Sequence, residues 1–320
     1  MLKLNDLVPT NLAEEKERFY AQNCDYNPQF SYQKRIKRHQ LLMHGKPRWR
    51  YLRLAKKILK QAKKQELFIR EKQLSFPQQE ELALAVKNYL RAYDLQDKYQ
   101  VKFDHNFISR FAVNFKDNQI KIRLPITLPK KEINSILNHE IGTHVLRQEN
   151  YLQQPWYRKK RRYGFAPHIK TEEGLAVLNT LISKANKLAA IPALTYVATK
   201  LGLKKDFKSV YAFFYEHFLD HDRAWTYTFK NKRGLRDTGY PSCFTKSVNY
   251  FEGFVDVLKY LRRHDYNPTD LYYGKLAIED IAKAKKIKPG FKPMLPKFYT
   301  DNPQLYETMI RQVARVNHVY

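Results

Sequence analysis

Six consecutive residues, His139-Glu140-Ile141-Gly142-Thr143-His144, place two imidazoles and a carboxylate within one short stretch that reads as helix. Neutral imidazole nitrogens are good zinc ligands, and a glutamate beside them can take a proton from a water polarised by the metal. If this segment holds a metal, it points to a hydrolase. The histidines are five apart, however, rather than four. On an ideal α-helix five steps leave an angular offset of about 140°, too wide for both rings to meet one ion. The helix must be widened by one residue, as in a π-bulge, or must loosen after the first histidine, and such bulges often mark functional sites. Gly142 lies inside the interval, where it relaxes the backbone at a cost of about 1 kcal/mol relative to Ala.

A catalytic zinc takes three protein ligands and a water. The segment Lys170-Thr171-Glu172-Glu173-Gly174-Leu175-Ala176 offers the third. Thr171 reads as the cap of a helix, and acidic residues suit its first turn. Consecutive helical positions point about 100° apart, so one of the two glutamates at most faces an ion squarely. Two histidines and a glutamate from a second helix form a thermolysin-type ligand set.

Asn138 to Arg147, followed by Thr171-Glu172-Glu173-Gly174-Leu175-Ala176, resembles the family of microtubule-associated tyrosine carboxypeptidases and its bacterial relatives with a Gln-Glu-Gly-Leu-Ala motif. A third block is similar too: Arg223-Ala224-Trp225, Lys232-Arg233-Gly234-Leu235-Arg236-Asp237-Thr238, then Phe244-Thr245-Lys246 and Tyr250. Tyr26-Asn27-Pro28-Gln29-Phe30 is a further, shorter match. The resemblance implies a zincin-like metallopeptidase. It makes His139 and His144 zinc ligands, Glu173 the third ligand and Glu140 the general base. It implies removal of a C-terminal residue, tyrosine in the characterised members, from a peptide or protein tail. A carboxypeptidase also needs a cation for the terminal carboxylate and a donor for the oxyanion. Lys232 and Arg233 are the candidates for the first and Tyr250 for the second. The sequence departs from the family pattern at Glu172, which replaces the Gln of the bacterial motif, and at Pro241 to Ser247, which lacks the Gly after Pro and the Asp after Lys. Two other readings stay open: a zinc endopeptidase, and a basic non-enzymatic binding protein with a structural or vestigial metal site.

The elements that would position these residues are mainly helical. Residues 1–75 read as a basic helical region packing on a catalytic domain over 76–320. Gln78 to Tyr93 has helical apolar spacing after Ser75-Phe76-Pro77. Three strands follow, Tyr99–Phe103, Phe111–Phe115 and Ile120–Leu124, with Lys116-Asp117-Asn118 as the hairpin turn of the last two. Lys131 to Glu149 reads as the active-site helix. Helices are expected over Gly174–Ala189, Pro192–Leu201, Ser209–His221, Ser247–His264, Thr269–Lys286 and Pro303–Val319. The fold class is therefore α+β, predominantly helical, with a small sheet ahead of the active-site helix.

Composition sets the outer bounds. With 43% apolar residues, 23 Tyr and 19 Phe, the chain can bury a substantial core and is not a disordered polymer. The 59 Lys and Arg exceed the 31 Asp and Glu enough to favour anionic partners, an acidic peptide tail among them. Lys159-Lys160-Arg161-Arg162 lies between the two ligand segments and reads as a rim that guides such a tail. Nucleic acid is disfavoured, since no helix-turn-helix, zinc-finger or RNA-recognition signature is present. Cys24 and Cys243 give no disulfide framework and suit a reducing cytoplasm. No signal peptide and no membrane-spanning run are apparent.

Overall fold

A computed structural model describes residues 4–69, 74–105 and 109–320. They form many helices and one three-stranded sheet, the α+β, mainly helical class that the periodicity predicts. The chain divides into two units, each assembled from distant segments. The first comprises the described part of Met1–Glu71 together with Ala189–Phe251. Its Trp49–Lys64 helix buries Tyr51, Ala55, Ile58, Leu59 and Ala62, an apolar stripe at three- and four-residue spacing, and leaves its lysines outside. That stripe packs on the Ala190–Gly202 helix. The sequence reading draws a boundary at residue 75, whereas this packing ties the early helices to a partner far along the chain. Phe19, Phe207 and Trp225 meet edge-on or tilted in the same unit.

The second unit comprises Lys72–Leu188 and Glu252–Tyr320 and contains both ligand segments. Its sheet has strands β1 (Gln100–Asp104), β2 (Phe111–Asn114) and β3 (Gln119–Arg123) in the order β1-β3-β2. β2 and β3 form the expected antiparallel hairpin, with Asn118 at φ 48° in the turn, and β1 pairs with β3 in parallel. Ile120 and Ile122 alternate onto one buried face.

Helix boundaries differ from expectation at two places. The predicted Ser209–His221 helix ends at Phe218, because Leu219 adopts a left-handed conformation (φ 49°). Asp220 then caps a new helix, His221–Lys232, through Arg223 N. The predicted Thr269–Lys286 helix is broken: Gly274 at φ 117° separates a short turn at Thr269–Tyr272 from a helix at Ile281–Ile287.

Candidate metal centre

The helix that carries the histidines is not uniform. An α-helical stretch, Ile133–His139, passes into a π-helical turn, Glu140–Val145, and returns to α-helix over Leu146–Leu152. The amide of Leu146 reaches back five residues to the carbonyl of Ile141. The widened turn is the first of the two remedies that the five-residue interval demands. It brings the rings of His139 and His144 to 5.1 Å between centroids.

A wide turn leaves backbone groups that need partners. The Thr143 hydroxyl donates to the carbonyl of Asn138 (3.0 Å), and the Tyr272 hydroxyl donates to the carbonyl of Gly142 (2.7 Å). Asn179 donates to both hydroxyl oxygens, at 2.8 and 2.9 Å. All three side chains are buried. Gly142 is needed for closeness as well as relaxation: a Cβ there would lie 2.7 Å from the Tyr89 hydroxyl and 2.9 Å from the Phe298 ring.

Each imidazole is held from behind. Nδ1 of His139 lies 3.0 Å from the Thr180 hydroxyl, which gives its own proton to the carbonyl of Ala176 and so accepts from the ring. Nδ1 of His144 lies 2.9 Å from Oε1 of Glu172. With Nδ1 protonated and engaged in each ring, Nε2 is the nitrogen of each that can coordinate a cation. On its other side, Nε2 of His144 stands 3.8 Å from Oε2 of Glu173. The two consecutive glutamates therefore bracket one imidazole, Glu172 behind the ring and Glu173 in front.

The Ile169–Ile182 helix can present them this way because it lies almost backbone to backbone against the Ser247–Arg263 helix. A Cβ on Gly174 would fall 2.1 Å from the carbonyl carbon of Gly253, and one on Gly253 would fall 2.0 Å from the carbonyl oxygen of Lys170. The glycine after the glutamate pair thus sets the depth of the helix that carries it. Thr171 lies within the first turn, not at its cap; its hydroxyl accepts instead from the amide of Ile278 (3.1 Å).

Glu172 is the residue whose role the spacing did not reveal. It is 3 % exposed, and beyond His144 it accepts from Lys275 Nζ at 2.7 Å. Arg147 Nη1 lies 3.5 Å away and His168 Nε2 3.6 Å away. Burial pushes the Glu172 carboxyl up, but Lys275, the His144 hydrogen bond and Arg147 together outweigh it and hold the group well below the usual carboxylate range. Burial likewise lowers His144, but the bond from Glu172 and the charges of Glu173 and Glu140 raise it overall. Arg147, fully buried, also donates to the carbonyls of Gly274 and Leu276, so the break at Gly274 supplies its acceptors. Lys160 of the basic run turns inward to His168 Nδ1 (2.9 Å) and the carbonyl of Lys275, and burial brings its pKa down to about 7. Arg161 and Arg162 stay exposed.

Among the described residues, His139, His144 and Glu173 are the one group of metal-capable side chains whose donor atoms all lie within 4.8 Å of one another. Ligand atoms around a tetrahedral zinc with bonds of about 2.1 Å stand roughly 3.4 Å apart, so small rotations close the set. Two imidazoles whose Nδ1 atoms are held by outer partners, together with one carboxylate, fit that ion. Glu140, 7 % exposed, follows His139 directly.

The remaining predicted residues belong to the first unit. Lys232 is 0 % exposed, and its ammonium donates to the carbonyls of Gly202 (3.1 Å), Ser242 (2.9 Å) and Lys205. Burial lowers it to about 8. Arg233 stacks on Phe244 at 4.9 Å, and its Nε is buried with no hydrogen-bond partner. Tyr250 is half-buried, with Lys246 over its ring at 5.5 Å. Cys24 and Cys243 are both free thiols, and no helix among the described residues is long and apolar enough to cross a membrane.

Comparison with known proteins bears on the same segments. A family model described as microtubule-associated tyrosine carboxypeptidase matches residues 33–312. Microtubule-associated tyrosine carboxypeptidase 1 of Rattus norvegicus is 26% identical over 98% of this chain and 68% of its own length, and the Homo sapiens protein of the same name gives the same figures. The putative tyrosine carboxypeptidase MATCAP2 of Mus musculus is 25% identical over 99% of this chain and 62% of its own length.

Proposed function

This chain belongs to the microtubule-associated tyrosine carboxypeptidase family, and from that premise we propose that it is a zinc-dependent carboxypeptidase that removes a C-terminal residue, tyrosine by family analogy, from a peptide or protein tail. The observation that carries the reading is the convergence of His139, His144 and Glu173 with both imidazole Nδ1 atoms already engaged. Zn²⁺ bound there would supply Lewis acidity and lower the pKa of a water toward neutrality. His139, His144 and Glu173 would hold the ion. Glu140 takes the proton of the attacking water and returns it to the leaving amine. Glu172 keeps His144 in the required tautomer, with Lys275 and Arg147 keeping Glu172 charged. The surplus of 28 positive charges suits an acidic tail.

The test has two stages. Purified protein should hold one zinc per chain, lost in His139→Ala; equal zinc in both removes the site. Zinc-loaded protein is then offered peptides with free or amidated C-termini. Release of one terminal residue, blocked by amidation and reduced about 10²- to 10⁴-fold in Glu140→Gln with zinc retained, is the expected result. Cleavage indifferent to amidation replaces the exopeptidase with an endopeptidase.

A further inference from the structure

The third block of the family resemblance builds something besides a helix end. Residues 32–41 and 234–242, both within the first unit, enclose a cavity of about 560 Å³, within the range of small-molecule sites. Arg35, Arg38 and Arg236 line it, and no carboxylate does. Asp6 and Asp237, on the two stretches that carry these arginines or lead into them, are engaged elsewhere. Asp6 accepts from Lys34 at 2.8 Å, and Asp237 accepts from the Gln29 side chain and the Gly239 amide at 3.1 and 2.8 Å. Three arginines at the rim of one space with no carboxylate among its lining residues give it a positive potential that favours an anion.

A second, independent observation points the same way. Ser242 also lines the cavity; it is 1 % exposed, and its hydroxyl has no hydrogen-bond partner. A buried hydroxyl left unpaired costs roughly 1–3 kcal/mol, which a ligand oxygen would recover. The remaining wall is apolar: Leu41 and Leu235 belong to one buried cluster, and Tyr32, 7 % exposed, spends its hydroxyl on the Gly234 amide (2.7 Å) and so offers its ring. Gly234, at φ 90°, has no room for a side chain, since a Cβ would meet Leu41 at 2.5 Å; the backbone leading to Arg236 sits directly on this floor.

We propose that this cavity binds a phosphate monoester carried on a small apolar or aromatic body. The charge count selects the head group. A phosphate monoester brings about −1.5 to −2 charges and three acceptor oxygens at neutral pH, which three arginines and one hydroxyl match, whereas a single carboxylate satisfies one guanidinium fork. The site is separate in its residues from the proposed metal centre and stands whether or not that reading holds.

The experiment is calorimetric titration of the full chain with phenyl phosphate, inorganic phosphate and benzoate, repeated in His139→Ala so that any anion bound by the metal centre is subtracted. One saturable phenyl phosphate site common to both proteins is expected, at least about tenfold tighter than benzoate and tighter than inorganic phosphate. Affinity should fall about tenfold or more in Arg35→Ala/Arg236→Ala. All three arginines are exposed, so the variant is expected to melt with the native protein; if it does not, Arg38→Gln alone carries the same comparison. No saturable site, an unchanged affinity in the arginine variants, or benzoate binding as tightly as phenyl phosphate overturns the proposal.

Discussion

Lys275 and Lys232 are both nearly fully buried, at 7 % and 0 % exposure, yet their surroundings put them to different use. Lys275 ends on the carboxylate of Glu172 and over the ring of Phe115 at 4.3 Å. Lys232 meets only backbone carbonyls, those of Gly202, Lys205 and Ser242 together with Tyr240 at 3.4 Å. A buried cation with a counter-ion fixes the charge state of its partner, and here that partner orients a histidine. A buried cation surrounded by carbonyl dipoles fastens loops together and orients no imidazole. The difference teaches that basic residues near a motif do not identify a substrate contact; what the ammonium faces does.

The contrast can be broken most forcefully at the carboxylate. Glu172→Leu leaves Lys275 and Arg147 buried without their counter-charge, and we expect a loss of about 3–5 kcal/mol in urea unfolding together with a 10- to 100-fold loss in zinc affinity. Unfolding and zinc binding both within error of wild type would show that the cluster neither stabilises the fold nor orients His144. The next effect is smaller. Lys232→Met deprives several buried carbonyls of their donor and should cost about 2–3 kcal/mol. It should leave zinc affinity unchanged, because Lys232 touches no carboxylate; a parallel loss of zinc would erase the distinction between the two lysines.

The smallest effect is a shift along the pH axis. In the folded, metal-free chain His144 is raised above its ordinary value, so its contribution to stability is fully present below the unfolded pKa and is lost as pH rises through the raised one. Zinc must displace that proton, so affinity should fall about tenfold per pH unit below the raised pKa. Glu172→Gln keeps an acceptor for Nδ1 but removes the negative charge. The fall should then begin at lower pH, by up to about one unit, in chelator competition between about pH 5.5 and 8. A profile that does not move would show that Glu172 acts on His144 by geometry alone.

Much of the site was legible because local rules governed it. The five-residue interval demanded a widened turn, and Gly142 offered one. The alternation in Ile120-Lys121-Ile122 and the polar turn before it gave the hairpin. Other features carried no local signal. Leu219 is left-handed without being glycine, so the expected Ser209–His221 helix overruns its end and the His221–Lys232 helix after it is not read. Thr171 resembles a cap in sequence, but the helix starts before it and its hydroxyl serves a residue more than a hundred positions away. Lys232 reads in sequence as a candidate cation for a substrate carboxylate, and only its burial shows that its ammonium is spent on backbone carbonyls.

The sequence by itself determined that the two imidazoles could meet one ion only if the helix widened or loosened between them, and that one of two consecutive glutamates at most could face the same ion, since both follow from fixed angles along a helix. Which glutamate stands in front of His144 and which behind was decided by tertiary structure. That choice depends on how deeply the Ile169–Ile182 helix sinks, which the contact of Gly174 with Gly253 sets, and on Lys275 and Arg147 arriving to keep the rear carboxylate charged. Helical periodicity fixes directions around one axis; it says nothing of where a second axis lies or what charge it meets there.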